Sequence, residues 1–510
     1  MNRPLSLGEQ RLLLFSVFVV SLCGITYELV LGSLATYLLG NPVQQYSITI
    51  GVFLSSMGLG SYLSRFITRD LIKNFIRIEI FLGLAGGVSV LVLSYFFATN
   101  YSYHILNLFF LLLIGVLVGL EIPLLTRILR GSGNLKEVLS NVLSLDYLGG
   151  LAGSLLFPLL LFPFIGRFLT SLIIGVLNVL VGLLLILALK YSKKSIADYL
   201  LSLISVTLLV MIILFSEPLN ALIQKKLYFD DIVFTRRSKF QEIVLTRNGN
   251  DFRLYLDGSL QFSTYDEYRY HEMLVFPALY LSRAPDKKVL VLGGGDGLAV
   301  RDLLKSRSVQ SVTLIELDKT IINLAKYNQT FRDINQDALH NSRVKIILGD
   351  AYVFMRKNRE LFDVIIADFP DPHDETISKL YTKEFYRMVQ RSLKRDGIFV
   401  TQSTSPLFAR EAFWCIHRTL REVFPRVIPY HVYIPTFGDW GFNLAGTADT
   451  VGTAEPVFPP DTHHRFISKE TFKAARHFSR DCEIIEIAPN TFNKPVLYAY
   501  YLKGWKQMDL

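Results

Sequence analysis

The segment VIIADFPDPHD, residues 364–374, ends an apolar run in three carboxylates, Asp368, Asp371 and Asp374. Short apolar runs of this kind read as buried parallel strands. Acids at their carboxyl ends then face the edge where α/β sheets bind ligands. Two more runs end alike: VTLIELD carries Glu316, and VKIILGDA carries Asp350-Ala351. A fourth, KKVLVLGGGDG, enters the glycine loop Gly293-Gly294-Gly295-Asp296-Gly297 before a helical stretch. That loop lets backbone approach a nucleotide or nucleoside closely. Glu316 at the next strand end can take both ribose hydroxyls, and Asp350-Ala351 can reach an adenine amino group. Pyrophosphate would be repelled by Asp296. A ligand with positive charge and no phosphate, such as a sulfonium nucleoside, suits the loop better than a dinucleotide.

These acids need a parallel sheet to line them up, and the chain predicts one. Residues 228–262 alternate like strands around turn signals at Asn248-Gly249 and Asp257-Gly258, which predicts a small antiparallel sheet. Helical periodicity follows over 266–281. Strands are then expected at 287–297, 311–318, 343–351, 362–372 and 398–403, with a helix over 384–397. This βα rhythm implies a parallel sheet.

The 510 residues carry a net charge of +9 and a mean hydropathy of +0.35, and the apolar residues are concentrated before about Ser216. Long apolar stretches occupy approximately 12–38, 46–66, 75–97, 104–126, 142–164, 169–189 and 199–216, each near the length of a membrane span. Succession of span upon span excludes a cleaved signal peptide. The basic residues cluster between spans, at Arg65, Arg69, Lys73 and Arg77, at Arg127, Arg130 and Lys136, and at Lys190, Lys193 and Lys194. Membrane topology explains them better than nucleic acid does, and places these loops and the N-terminus in the cytoplasm. A lipid bilayer is thus an expected partner and nucleic acid is not.

Residues 24–40 and 119–131 carry Glu28 and Glu121 in similar settings, each followed by a Gly/Ser-rich span, which suggests a three-span repeat in opposite orientation. Helix packing alone also explains the small residues. Glu28, Glu121 and Asp146 are costly in hydrocarbon, which makes each a candidate for a polar pathway; alternatively they cap, snorkel near a span end or pair with an interfacial Arg, as Arg127 near Glu121 allows. The expected domains are 1–217 in the membrane, 218–265 as a small β subdomain, and 266–510 as the α/β unit. Cys23, Cys415 and Cys482 are too scattered for a disulfide framework or a zinc cluster, and His463-His464 reads as a surface loop.

In order, SKFQEIVL, LYLDGSLQFSTYDEYRYHEMLVFPAL, VLVLGGGDGLAVRDLL, VTLIELD, VKIILGDAYVFM, FDVIIADFPDP and LYTKEFYRMVQRSLKRDGIFVTQS resemble the spermidine synthases, the polyamine aminopropyltransferases. The resemblance covers about 238–446, and the apolar half looks like the extension of membrane-bound members. It implies a Rossmann-like, methyltransferase-type fold and transfer of an aminopropyl group from decarboxylated S-adenosylmethionine to putrescine. The products would be spermidine and methylthioadenosine. Decarboxylated S-adenosylmethionine would be a co-substrate, with no cofactor or metal needed. By the same resemblance, Gln241, Asp296, Glu316, Asp350 and Ala351 would hold the nucleoside. Tyr270, His271, Asp296, Asp368, Asp371 and Gln402 would bind the polyamine, with Asp368 as proton acceptor. The family's soluble members form dimers or tetramers, which implies a homo-oligomer.

The chemistry is consistent with this. A diamine is protonated in water and attacks only after one amine loses its proton, which Asp368 can accept. The sequence departs from the family at His373-Asp374, where Gly-Pro is usual, at Leu298 and at Phe437, where many relatives have tyrosine. These leave the acceptor open to another diamine or polyamine. Rival readings are a methyltransferase using the same strand-end acids, and a polyamine transporter or sensor. Seven spans would leave 217–510 outside the cell, yet decarboxylated S-adenosylmethionine is cytosolic. The co-substrate is given the greater weight, which places the catalytic unit in the cytoplasm.

Overall fold

A computed structural model describes residues 5–99, 103–130, 134–189, 196–228, 230–446, 456–458 and 464–506. The chain divides into two compact units, 1–231 and 232–510.

The first unit is helical: α1 (Leu7–Leu39), α2 (Pro42–Leu63), α3 (Leu71–Ala98), α4 (Tyr103–Leu129), α5 (Leu135–Leu156), α6 (Phe162–Ala188), α7 (Ile196–Leu214) and α8 (Ser216–Tyr228). Among the described residues six helical segments are long and apolar enough to cross a membrane. The expected fifth and sixth spans run together as Leu135–Ala188, through a π-helical turn at Phe157–Leu161 and a break at Gly166, whose φ of 74° no helix accommodates. Exposed leucines and phenylalanines cover the bundle's outside, as a lipid-facing surface requires. Residues 216–228 form α8 and stay with this unit, past the change in composition. Lys190, Lys193, Lys194 and His463 lie outside the described residues.

Glycines let these helices touch. A Cβ on Gly60 would lie 2.1 Å from the Val116 carbonyl oxygen, and one on Gly119 2.1 Å from that of Met57, so α2 and α4 meet backbone to backbone. The Arg127 guanidinium donates to the carbonyls of Ser64 (2.7 Å) and Ile67 (3.0 Å) instead of pairing with Glu121. Backbone carbonyls just past the end of α2 thus take the guanidinium. Buried Asp198 at the start of α7 accepts from Arg77 (2.7 Å) at the start of α3, while Lys226 of α8 lies over the Tyr95 ring near the end of α3. Helices α3 and α7 therefore run the same way.

The second unit opens on an antiparallel sheet, β1 (Asp231–Arg237), β2 (Glu242–Asn248), β3 (Asp251–Leu256) and β4 (Ser259–Ser263), ordered as numbered. Both expected turns are present: Asp257 and Gly258 have φ of 47° and 81°, the left-handed pair of a two-residue hairpin. After α9 (Glu267–Leu281) come β5 (Lys287–Gly293), β6 (Val309–Glu316), β7 (Val344–Leu348), β8 (Phe362–Asp368), β9 (Leu393–Gln402), β10 (Arg426–Ile434) and β11 (Gly438–Gly446). They form one sheet ordered β10-β11-β9-β8-β5-β6-β7, with β5 to β9 parallel and the last two antiparallel. The expected helix over 384–397 stops at Ser392 and β9 begins at Leu393, because Leu393 pairs with Phe362 on the sheet. Strand order reverses between β5 and β8, and that switch point is where a doubly wound sheet opens a crevice.

Candidate active site

Gly293 at the end of β5 sits in register with Asp368 at the end of β8. A Cβ on Gly293, at φ 80°, would lie 2.2 Å from the Asp368 carbonyl oxygen; one on Gly294, at φ 68°, would lie 2.9 Å from Asp368 Oδ2. A Cβ on Gly295 would come within 2.7 Å of Glu316 Oε2. Only glycine lets the loop pass this close to both acids.

Asp368 Oδ1 accepts from the Tyr270 hydroxyl at 2.7 Å. Burial pushes the Asp368 carboxyl up to about 6; the His271 cation opposes this and the Asp296 charge adds to it. His271 is buried on α9, with Nδ1 2.8 Å from Glu267 Oε2, and Glu267 in turn accepts a two-pronged pair from Arg301 at 2.8 and 2.9 Å. Burial disfavours the charge on His271, but Glu267, Asp296 and Asp368 outweigh it and push the pKa up to about 9. The site therefore holds one fixed imidazolium between carboxylates. Asp296 accepts from the Leu298 N–H at 2.8 Å, and burial raises its carboxyl.

Asp371 Oδ2 accepts from the Thr404 hydroxyl at 3.1 Å, while its Oδ1 is buried with no partner. Burial pushes this carboxyl up to about 6, and the Tyr501 hydroxyl is among the donors opposing that rise. Gln402 spends its amide on the loop: Nε2 donates to the Phe369 carbonyl (2.8 Å) and the Tyr381 hydroxyl (2.7 Å), and Oε1 accepts from the Thr404 N–H (2.9 Å).

Further along the same edge, Gln241 Nε2 donates to Asp318 Oδ2 at 3.1 Å, and the Asp318 N–H donates to Glu316 Oε1 at 2.8 Å. Burial pushes Glu316 up to about 7. Asp350 caps the helix Ala351–Lys357, accepting from Tyr352 and Val353 N–H groups, with Lys379 Nζ 3.2 Å away. Burial would raise the Asp350 carboxyl, but these donors hold it below its ordinary value. Asp374 caps the short turn after it by accepting from the Ile377 N–H at 2.7 Å. His464 packs between rings and meets the Tyr280 hydroxyl at 2.9 Å. Among the described residues no cluster of three or more His, Cys, Asp or Glu is placed to hold a metal.

The strand-end acids thus share one edge of one sheet. The spermine/spermidine synthase domain matches residues 267–452. A polyamine aminopropyltransferase of Leptospira interrogans is 42% identical over 98% of this chain and 99% of its own. Polyamine aminopropyltransferase 1 of Ralstonia nicotianae is 40% identical over 99% of this chain and 97% of its own. The chain belongs to the polyamine aminopropyltransferase family. A solved spermidine synthase in complex with the transition-state analogue AdoDATO is 29% identical, covering 49% of this chain and 86% of that one, with a TM-score of 0.45.

As an aminopropyltransferase, the chain catalyses aminopropyl transfer, and decarboxylated S-adenosylmethionine is a co-substrate and not a resident cofactor. The sequence reading missed what surrounds the acids. Glu267 and Arg301 lie on helices with ordinary periodicity, and only their burial marks them. Tyr501 belongs to the helix Leu497–Lys506, distant in sequence from every quoted motif.

Proposed function

We propose that Asp368 is the proton acceptor and that the amine acceptor is putrescine, converted to spermidine. The carrying observation is Asp371 Oδ1, buried and unpartnered on the same loop as Asp368. It gives one ammonium end a carboxylate anchor while Asp368 takes a proton from the other. The freed nitrogen lone pair then forms a bond to the carbon beside the sulfonium, the C–S bond breaks, and methylthioadenosine leaves as a neutral thioether. Gln241, Asp296, Glu316, Asp350 and Ala351 hold the nucleoside, and placement of both substrates supplies most of the rate. The carboxylates also repel the carboxyl group of intact S-adenosylmethionine, which selects the decarboxylated form. Gln402 and His271 take positioning roles: Gln402 fixes the acid loop, and the His271 cation keeps Asp296 and Asp368 ionised.

Asp371→Asn is expected to raise the KM for putrescine at least tenfold, about the 1.4 kcal/mol of one charge-assisted hydrogen bond, with the KM for the nucleoside unchanged. Steady-state kinetics with each substrate varied checks this. A panel of diamines tests the acceptor. Phe437, edge-on to Tyr270 at 6.4 Å, offers no hydroxyl where many relatives have one, so a preference for a longer diamine would displace putrescine.

The apolar bundle fits insertion in a bilayer, and the oligomeric state is expected to follow the soluble members. The second unit is placed in the cytoplasm because a permanently charged sulfonium nucleoside does not cross hydrocarbon. This placement runs against the basic-loop rule, since seven crossings put 217–510 opposite Arg65, Arg69 and Lys73. Alkaline extraction should leave the protein in the membrane. Protease added to right-side-out vesicles should spare residues 232–510 until the membrane is opened; digestion from outside would reverse the placement.

A further inference from the structure

We infer that the helical bundle is a carrier that exchanges protons for protonated amines across the membrane, with Glu79 and Glu121 as its cation site. The inference rests on the membrane insertion and amine chemistry proposed above.

Glu79 of α3 is fully buried and Glu121 of α4 is 4% exposed, and the two side chains meet. Apart from the contact between the two carboxyl groups themselves, both carboxylate oxygens of Glu79, Oε1 of Glu121, both amide atoms of Asn178 and the Tyr27 hydroxyl are buried without a hydrogen-bond partner among the described residues. Asn178 lies on the same α3–α6 contact as Glu79. A Cβ on Gly83 would lie 3.2 Å from Asn178 Cβ, and one on Gly182, a helical turn further on, 3.6 Å from Glu79 Cβ. Among the described residues the titratable groups interacting with the pair are Cys23 and Tyr27 of α1 and Asp146 of α5, and none of these is a cation. Arg127 is spent on backbone carbonyls.

Adjacent carboxyl groups in hydrocarbon cannot both ionise unless a positive charge sits with them. A proton supplies it, and so does a primary ammonium, whose three N–H donors match the carboxylate, Asn178 and Tyr27 oxygens. The two occupants exclude each other, which is the condition for exchange. The amine class follows from the unit that the bundle is joined to, whose substrates are aliphatic ammonium ions.

A second, independent feature is the repeat. Helices α1–α3 and α4–α6 make matching contacts with the two halves interchanged. Gly60 of α2 approaches Val116 and Gly119 of α4; about 93 residues on, Gly153 of α5 approaches Leu22 and Thr26 of α1. Gly83 of α3 approaches Gly175, Asn178 and Val179 of α6; about 99 residues on, Gly182 approaches Ile76, Glu79 and Ile80. The halves enter the bundle in opposite directions. By the same offsets Glu121 corresponds to Glu28, and Asn178 to Glu79. If the halves exchange arrangements, as inverted repeats do in alternating access, Glu121 leaves Glu79 and the pair no longer shares its cation. Binding in one arrangement and release in the other then follow from symmetry.

The test is the full chain in proteoliposomes with an acidic interior and labelled spermidine outside. Uptake above protein-free liposomes, abolished by a protonophore, is expected. Glu79→Gln and Glu121→Gln should each lower it to the protein-free level with aminopropyl transfer unchanged, which also reports that the variants fold. Wild-type uptake no higher than protein-free liposomes, or variant uptake equal to wild type, overturns the inference. Dicyclohexylcarbodiimide gives a measurement free of variants: it should modify Glu79 or Glu121 in the native protein, at least threefold more slowly with spermidine present. Labelling that spermidine does not slow overturns the amine assignment. Failure of alkaline extraction or of aminopropyl transfer would instead strike the readings on which this one rests.

Discussion

Asp368→Asn is expected to lower kcat about a thousand-fold, the middle of the range for losing a positioned general base. Asparagine keeps the shape and can still meet the Tyr270 hydroxyl, so the loop should hold and methylthioadenosine should bind with unchanged affinity by calorimetry. What it cannot do is accept the ammonium proton. The same residue fixes the acid limb of the pH profile. Its carboxyl is pushed up to about 6, so it is protonated below that pH and useless as a base. Asp371 is also pushed up to about 6 and loses its anchoring charge in the same window. The kcat/KM of the native enzyme should therefore fall as pH drops through 6, more steeply than one ionisation allows. In Asp368→Asn the remaining limb should have the slope of a single group. An Asp368→Asn variant with more than a tenth of native kcat would remove this residue from the chemistry.

Arg301→Met is expected to cost the second unit about 3–5 kcal/mol, because it leaves buried Glu267 with His271 alone and buried Asp302 with only Lys305 at 2.7 Å. The transition to watch in a thermal scan of the full chain is the one that methylthioadenosine shifts upward. Burial would raise the Glu267 carboxyl, but the His271 and Arg301 bonds hold it at about 2, below its ordinary 4.5. Its contribution is present above pH 4.5 and is lost as pH falls through 2. His271 runs the other way: with its pKa raised to about 9, it contributes fully below its ordinary 6.5 and ceases to as pH rises through 9. The network is therefore strongest between about pH 4.5 and 6.5. Arg301→Lys should recover only part of the loss, since an ammonium cannot reproduce the two-pronged bond to Glu267. A variant as stable as native protein would show that the buried charges find other partners.

The parts legible in the sequence were those whose residue types are restricted by backbone or ligand. Gly293 and Gly294 need positive φ and close approach to Asp368, so no other residue fits, and the loop announced itself. Asp257-Gly258 declared its turn for the same reason. Acids at four strand ends were visible because such runs are otherwise apolar. The support was not legible. Nothing in the sequence announced the hydrogen bonds by which Gln402 ties the Phe369 carbonyl, the Tyr381 hydroxyl and the Thr404 N–H together. The Glu121–Arg127 proximity in sequence is no guide to pairing because the Ser64 and Ile67 carbonyls past the end of α2 take the guanidinium, and Glu79, the acid that does meet Glu121, stands beside Arg77 in an apolar span where nothing singles it out. Strands β10 and β11 fell outside the βα rhythm, so nothing in that rhythm called for an antiparallel extension.

The contact between Tyr501 and Asp371 sets a schedule as well as a geometry. During synthesis the bundle leaves the ribosome first, then the loop acids, and Tyr501 after every other group of the amine pocket. Until Leu497–Lys506 docks, Asp371 lacks one of the donors that define its position, and the sheet can be folded while the pocket is not. A newly made chain thus completes its helical unit, and most of its second unit, before Asp371 has its full set of donors.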